Sequence, residues 1–117
     1  MTYQQQPANP QILSIGQIGI PATITTLYTV PLRSRTILQY IDVVNTNATA
    51  TTFDIYLVVQ NGTAGTSNAL FYQQTLQPKQ NLQWTGQQVL DSQQTIQVLA
   101  SATGITTIMS GVTYGYY

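Results

Sequence analysis

The sequence predicts an all-β chain, an antiparallel β-sandwich of about eight short strands preceded by an extended N-terminal arm. Three observations carry this. β-Branched and aromatic residues recur in runs that alternate between two faces with period two. Turn formers separate those runs at intervals of about 8–12 residues. No segment combines helical periodicity with caps. The 117 residues suit one domain and can bury one sizeable core. Periodicity alone leaves an immunoglobulin-like and a jelly-roll sandwich equally open.

Residues 1–11 are polar, contain Pro7 and Pro10, and cannot form a core. They read as an arm, which we place at 1–17, with the sandwich at 18–114 and a tail at 115–117. Ile12, Leu13 and Ile15, then Ile18 and Ile20 around Gly19, predict a short first strand. Pro21 cannot donate to a ladder, which puts that strand at an edge. Ala22 to Val30 is rich in β-branched residues and reads as a strand that Pro31 ends. Thr36 to Asn45 is apolar on both faces, with Ile37, Ile41 and Val43 on one and Leu38, Tyr40 and Val44 on the other. Two apolar faces predict a central strand whose second face is covered by an arm or another subunit.

The organising stretch is Thr51 to Leu76. Phe53, Ile55, Leu57 and Val59 share one face, and Thr52, Asp54, Tyr56, Val58 and Gln60 the other. The run NGTAGTSN follows, a loop without regular structure, and then the strand ALFYQQTL. Ser67 could cap a helix there, but the aromatic and β-branched content favours a strand. The pair is expected as a hairpin in the middle of the sandwich. Beyond it, NLQWT predicts a short strand with Leu82 and Trp84 on one face. TGQQ reads as a turn, Val89 and Leu90 as a brief apolar step, and DSQQ as a second turn. Thr95 to Ser101 alternates with Ile96, Val98 and Ala100 inward. Ile105 to Tyr114 is the last strand, with Ile108, Val112 and Tyr114 on one face beside Ser110.

Composition excludes several functions. Charged residues are 5% of the chain and the net charge is zero. Nucleic acid demands a concentrated basic surface, and Arg33 with Arg35 is only a solvated turn. No apolar run approaches the roughly 20 residues of a membrane helix. MTYQQQPANP has no basic segment leading an apolar one, so it is no secretory signal. Cys is absent, so no disulfide holds the fold. Catalysis lacks its groups as well: there is no His, Cys or Glu, leaving Asp42, Asp54 and Asp91 as bases. Asp91 is explained by the turn, where an Asp side chain bonds nearby amides. Three dispersed Asp residues do not make a calcium loop, and NGTAGTSN lacks the Lys and helix of a phosphate loop. We therefore expect no catalytic residue, cofactor, metal or small-molecule substrate. The sequons at Asn47 and Asn61 are short, common motifs and carry no weight. The 8 Tyr suit protein interfaces better than a sugar platform, because they are scattered and Trp84 reads as core. The candidate contacts are Tyr3, Ile12, Leu13, Tyr40, Tyr56, Tyr72, Tyr116 and Tyr117. A surface so poor in charge suits a protein packed against copies of itself or other partners.

Three pieces in fixed order carry a resemblance: LYTVP at Leu27 to Pro31, NGTAGTSNALFYQQTL at Asn61 to Leu76, and VLDSQQTIQVLAS at Val89 to Ser101. Together they resemble small virion structural proteins of tailed bacteriophages, over residues 18–114. In that family a YTVP strand end precedes a V-N-T strand, a G-T-A-G-T-x-N-A-L loop and an L-x-x-G-D-T-I-x-V turn. Ser92-Gln93-Gln94 departs from it where Gly-Asp is usual. The resemblance implies a jelly-roll-like sandwich without catalytic residues, on the capsid exterior or in a tail appendage, made in the host cytoplasm. Its first reading is a capsid cement (decoration) protein, a homo-oligomer and specifically a homotrimer, bound to the major capsid protein. The alternative is a tail-fibre, spike or receptor-binding module that reads host glycan through the loops NTNATATT and NGTAGTSN.

Overall fold

A computed structural model describes residues 10–17 and 23–115 of the chain. Its strands are β1 (Pro10–Gln17), β2 (Thr25–Thr29), β3 (Ser34–Asn45), β4 (Thr51–Val58), β5 (Ala69–Leu76), β6 (Asn81–Leu90), β7 (Thr95–Ala100) and β8 (Ile105–Gly115). They form two four-stranded sheets, in the orders β1-β8-β3-β6 and β2-β7-β4-β5. Every paired neighbour is antiparallel. Apart from the β4–β5 hairpin, consecutive strands alternate between the sheets. That connectivity is the jelly roll, two Greek keys closed over one core.

The core lies between the sheets. Leu38, Ile41, Val43, Leu90, Ile105 and Met109 come from the first sheet; Phe53, Ile55, Leu76, Ile96, Val98 and Ala100 come from the second. The inward set expected on β7 is the one observed. Phe53 and Phe71 meet with ring centroids 5.5 Å apart, tilted by 48°. At one end three hydroxyls close a triangle between the layers: Tyr28 OH lies 2.9 Å from Thr113 Oγ1 and 3.3 Å from Thr36 Oγ1, which are 2.8 Å apart. Tyr28→Phe leaves the two threonines paired with each other, so it lowers stability by only about 1 kcal/mol, read from the midpoint of urea unfolding.

Several expectations are corrected by register. β3 does not keep one apolar phase. Leu38 opposes Gly111 and Tyr40 opposes Ser110, so Gln39 is an extra residue. This bulge flips the alternation. Thr36 and Leu38 face inward before it and Ile41, Val43 and Asn45 after it, leaving Ile37, Tyr40 and Val44 together outside. TGQQ is not a turn, because β6 runs unbroken through it and absorbs the irregularity as a register shift near Gly86. The β4–β5 hairpin lies at the side of its sheet with β5 outermost, not in the middle. Its loop holds one 3-10 turn, Thr66–Asn68, where no regular element is expected from the residue types. Val59 falls beyond β4 and is 60% exposed, while Val58 is buried, because the strand ends where the loop begins.

Residues 10–17, assigned to the arm on composition, are an edge strand laid along β8. The edge position of the first strand is as expected, but its proposed cause, Pro21, lies outside the described residues. So do residues 1–9 and the last two residues of the tail.

Candidate interface

The three carboxylates sit in three different settings. Asp91 does not bond its own turn amides as expected. Its Oδ1 accepts Arg35 Nε at 2.8 Å in an exposed ion pair, which with a bond to Tyr114 raises the Arg35 pKa. The turn is held instead by Gln94, whose amide oxygen accepts the Asp91 N–H and whose N–H donates to Asp91 O at 3.0 Å.

Asp54 serves a bulge. Phe53 opposes Gln74 and Ile55 opposes Phe71, so β5 carries one residue too many opposite Asp54. Gln73 takes up the difference in a left-handed conformation, φ 50°. Its N–H has no ladder partner and donates to Asp54 Oδ1 at 2.6 Å, while Tyr56 OH donates to Oδ2 at 2.6 Å. Both oxygens of this buried carboxylate are occupied, so it is a structural acceptor rather than a poised base.

Burial, then the neighbouring Asp54, push the Tyr56 phenol up from 10.0 to about 12. The folded state therefore holds this proton more tightly than the unfolded chain. Stability from this group is fully present below pH 10 and is lost as pH rises from 10 to about 12. Unfolding free energy measured across that window falls more steeply in the wild type than in Tyr56→Phe. Equal slopes would show that the phenol does not contribute.

No constellation for chemistry forms around these groups. Among the described residues no three of His, Cys, Asp and Glu converge on a metal position. An open depression of about 190 Å³ lies beside Asp54, lined by Thr52, Gln73, Leu99, Ala100 and Ser101, with no general base in it whose oxygens are unengaged. Lys79 donates to Thr46 O at 2.8 Å, tying the β5–β6 turn to the β3–β4 turn. The two loops offered as glycan readers, NTNATATT and NGTAGTSN, sit at opposite ends of β4. Eight residues at about 3.3 Å each hold them roughly 26 Å apart, so they form no common site.

The expected contact residues are divided by the fold. Ile12 is 65% exposed on the outer side of β1, opposite Ser110. Leu13 is not a surface contact, because the β1 bulge turns it inward against the core. Tyr40 is half-buried on the outer face of the β1-β8-β3-β6 sheet, and Tyr72 is exposed on edge strand β5. Tyr56, expected at the surface, is 4% exposed because Asp54 holds its hydroxyl under the β5 bulge. Tyr3, Tyr116 and Tyr117 lie outside the described residues.

The sequence grouped Tyr40 with Val44, and Ile108 with Val112 and Tyr114, as the register has them; it did not join the two groups or add Ile37 and Val89. By register, Ile37 and Val44 of β3, Ile108, Val112 and Tyr114 of β8, and Val89 of β6 share its face. The signal was the doubly apolar reading of Thr36–Asn45, which already called for a second covered side.

No family model and no curated protein matches the chain. Solved structures do. A chain in the structure of infectious bursal disease virus Gx strain is similar with a TM-score of 0.51 at 14% identity, over 95% of this chain and 33% of that one. One from the Gt strain gives 0.45 at 11% identity, over 94% and 33%. This chain thus spans about a third of the length of each. The likeness to the Gx chain shows a shared fold, consistent with the jelly roll read from strand order.

Proposed function

We propose that the chain is a non-enzymatic virion structural protein, a cement protein of a tailed-bacteriophage shell that bridges neighbouring capsid subunits from outside. The observation that carries this is a surface made to be covered. Only 5% of residues are charged, Asp54 and Asp91 are engaged within the chain, and one sheet carries apolar side chains on both faces. The phage-type motifs and the fold shared with a virus chain support the same reading. Bridging would stabilise a shell by burying area across its joints, at about 25 cal/mol per Å² before association costs are subtracted. We expect a homo-oligomer, a trimer being the form the motif resemblance implies.

Purified particles of the virus encoding the chain, probed with antibody and quantified by mass spectrometry, test this. Hundreds of copies per particle, exposed on the head, are the expected result. Absence from particles, or a few copies at the tail, would sink it. The arm is tested by removing residues 1–9 only, since deletion beyond them removes β1. Undiminished occupancy of the shell would rule out a role for the arm.

A further inference from the structure

The jelly roll has two outer faces, and they differ. On the β2-β7-β4-β5 sheet, Asp54, Tyr56 and Val58 are already buried, and Thr95, Gln97 and a single apolar side chain, Leu99, line what β7 leaves open. On the β1-β8-β3-β6 sheet, Val112, Ile37 and Val89 form an apolar row across three strands, and Ile12, Tyr40, Ile108 and Val44 extend it among Ser110, Thr85, Gln83 and Thr106. Ile12 at one side is 65% exposed and Val89 at the other is 58% exposed. Four strands about 4.8 Å apart and ten residues at about 3.3 Å make a strip of roughly 600 Å², comparable with the ~800 Å² per partner of a stable interface.

Within this field stands one carboxylate outside any ion pair. Asp42 opposes Gln83 on one side and Ile108 on the other, between Tyr40 and Val44. Its Oδ1 is buried and accepts no hydrogen bond from the described residues. A carboxylate oxygen withdrawn from water without a donor is unfavourable until one is supplied. Among the described residues no cationic side chain supplies it: Arg33 is exposed in the β2–β3 turn, nine residues before Asp42. Arg35 is engaged by Asp91 at the far end of the face, about seven residues and roughly 20 Å along β3, and Lys79 is held by Thr46 O. A second copy laid on this face would bring a second carboxylate, and the cation on its own face, Arg35, is already engaged by Asp91.

We propose that the outer face of the β1-β8-β3-β6 sheet is the shell-binding surface, and that it takes a protein surface of a different chain that is apolar around one Lys or Arg directed at Asp42. This rests on the cement reading and adds to it the face and the chemistry of the partner. Apolar contact would supply affinity, and the charge pair would fix register.

The test uses full-length protein and particles stripped of it, with binding followed by co-sedimentation at two salt concentrations. Four proteins are compared: the wild type, Asp42→Asn, Val89→Lys and, on the opposite sheet, Gln97→Lys. Val89 is exposed enough that its substitution leaves the fold intact, which circular dichroism confirms for each variant. Val89→Lys is expected to bind about 30-fold more weakly. Asp42→Asn is expected to bind about tenfold more weakly at low salt and to lose the salt dependence of the wild type. Gln97→Lys is expected to bind as the wild type does. If the wild type binds while Val89→Lys and Asp42→Asn bind equally well, the face is wrong and the cement reading stands. Loss of binding in Gln97→Lys alone overturns the face in favour of the other sheet. A wild type that ignores stripped particles overturns both.

Discussion

Asn45→Leu is expected to remove about 3 kcal/mol of stability, a fall of roughly 10–15 °C in Tm for a domain of this size. Asn45 ends β3 and is fully buried. Its side-chain amide reaches Thr49 O at 2.9 Å, Leu76 O at 3.1 Å and Gln77 O at 3.2 Å, and its Oδ1 accepts the Asn47 N–H at 2.9 Å. One side chain thus ties the β3–β4 turn to the end of β5. Asn47 extends the tie, donating to Thr103 O at 2.6 Å in the β7–β8 turn. Leucine keeps the branching of the side chain but is bulkier and offers no donor. It leaves carbonyls at the sandwich end unpaired, one of them deeply buried, and an unsatisfied buried group costs about 1–3 kcal/mol. Asn45→Asp is the sharper control: it keeps the acceptor for Asn47 and loses every donor. Urea unfolding should show the larger loss for Asn45→Asp, whose buried carboxylate would face three carbonyl oxygens. A loss under about 1 kcal/mol in either would mean that water replaces the amide, and that the three turns are held by their backbone bonds alone.

Asn45 also marks what the sequence could not say. Its place at the end of a strand followed by NTNATA reads as turn chemistry, which Thr49 and Asn47 bear out, and nothing local reveals that Leu76 and Gln77 are its partners as well. Strand identity was legible wherever alternation ran unbroken, as in β7, where Ile96, Val98 and Ala100 face the core as their spacing requires. It failed at bulges. A bulge inserts one residue into a period of two, so Ile37 and Ile41 look like face-mates in sequence and lie on opposite faces in the fold. The same arithmetic hid the role of Asp54: a carboxylate on a strand looks out of place until β5 presents an orphan N–H to it. Positive φ was hidden for another reason. Arg33, Lys79 and Gln93 take left-handed turn positions where glycine or asparagine would announce itself. Gln93 stands in the Ser92-Gln93-Gln94 stretch that departs from the phage-type Gly-Asp, and its side chain reaches Val30 O at 3.3 Å. The interface was half legible. Two apolar sides on β3 announced a covered face, but which residues share it followed only from the register with β8.

Gly111→Ala is expected to be the most damaging glycine-to-alanine change among the described residues, at about 3 kcal/mol or more, with loss of soluble protein as the practical readout. Gly111 lies in the middle of β8 opposite Leu38, where the Gln39 bulge presses the two strands together. A Cβ built there falls 2.1 Å from Ile37 O, 3.1 Å from Ile37 C and 3.2 Å from Leu38 Cα. These are backbone atoms, so no rotamer change relieves the overlap. β3 and β8 must part, and they are the two interior strands of their sheet. The displacement would break ladder bonds on both sides and open the layer that buries Leu38 and Met109. Gly65→Ala supplies the contrast. Nothing lies within 4 Å of its Cβ position, and its φ of −171° is extended backbone open to any residue. There alanine should be neutral or stabilise by up to about 0.5 kcal/mol, through a less flexible unfolded chain. Two glycine-to-alanine changes in one protein, one ruinous and one harmless, isolate strand contact from glycine's intrinsic flexibility. If both variants unfold at the same urea concentration, the close approach of β3 and β8 at the bulge is wrong. The face assignment of Ile37, Tyr40 and Val44 falls with it.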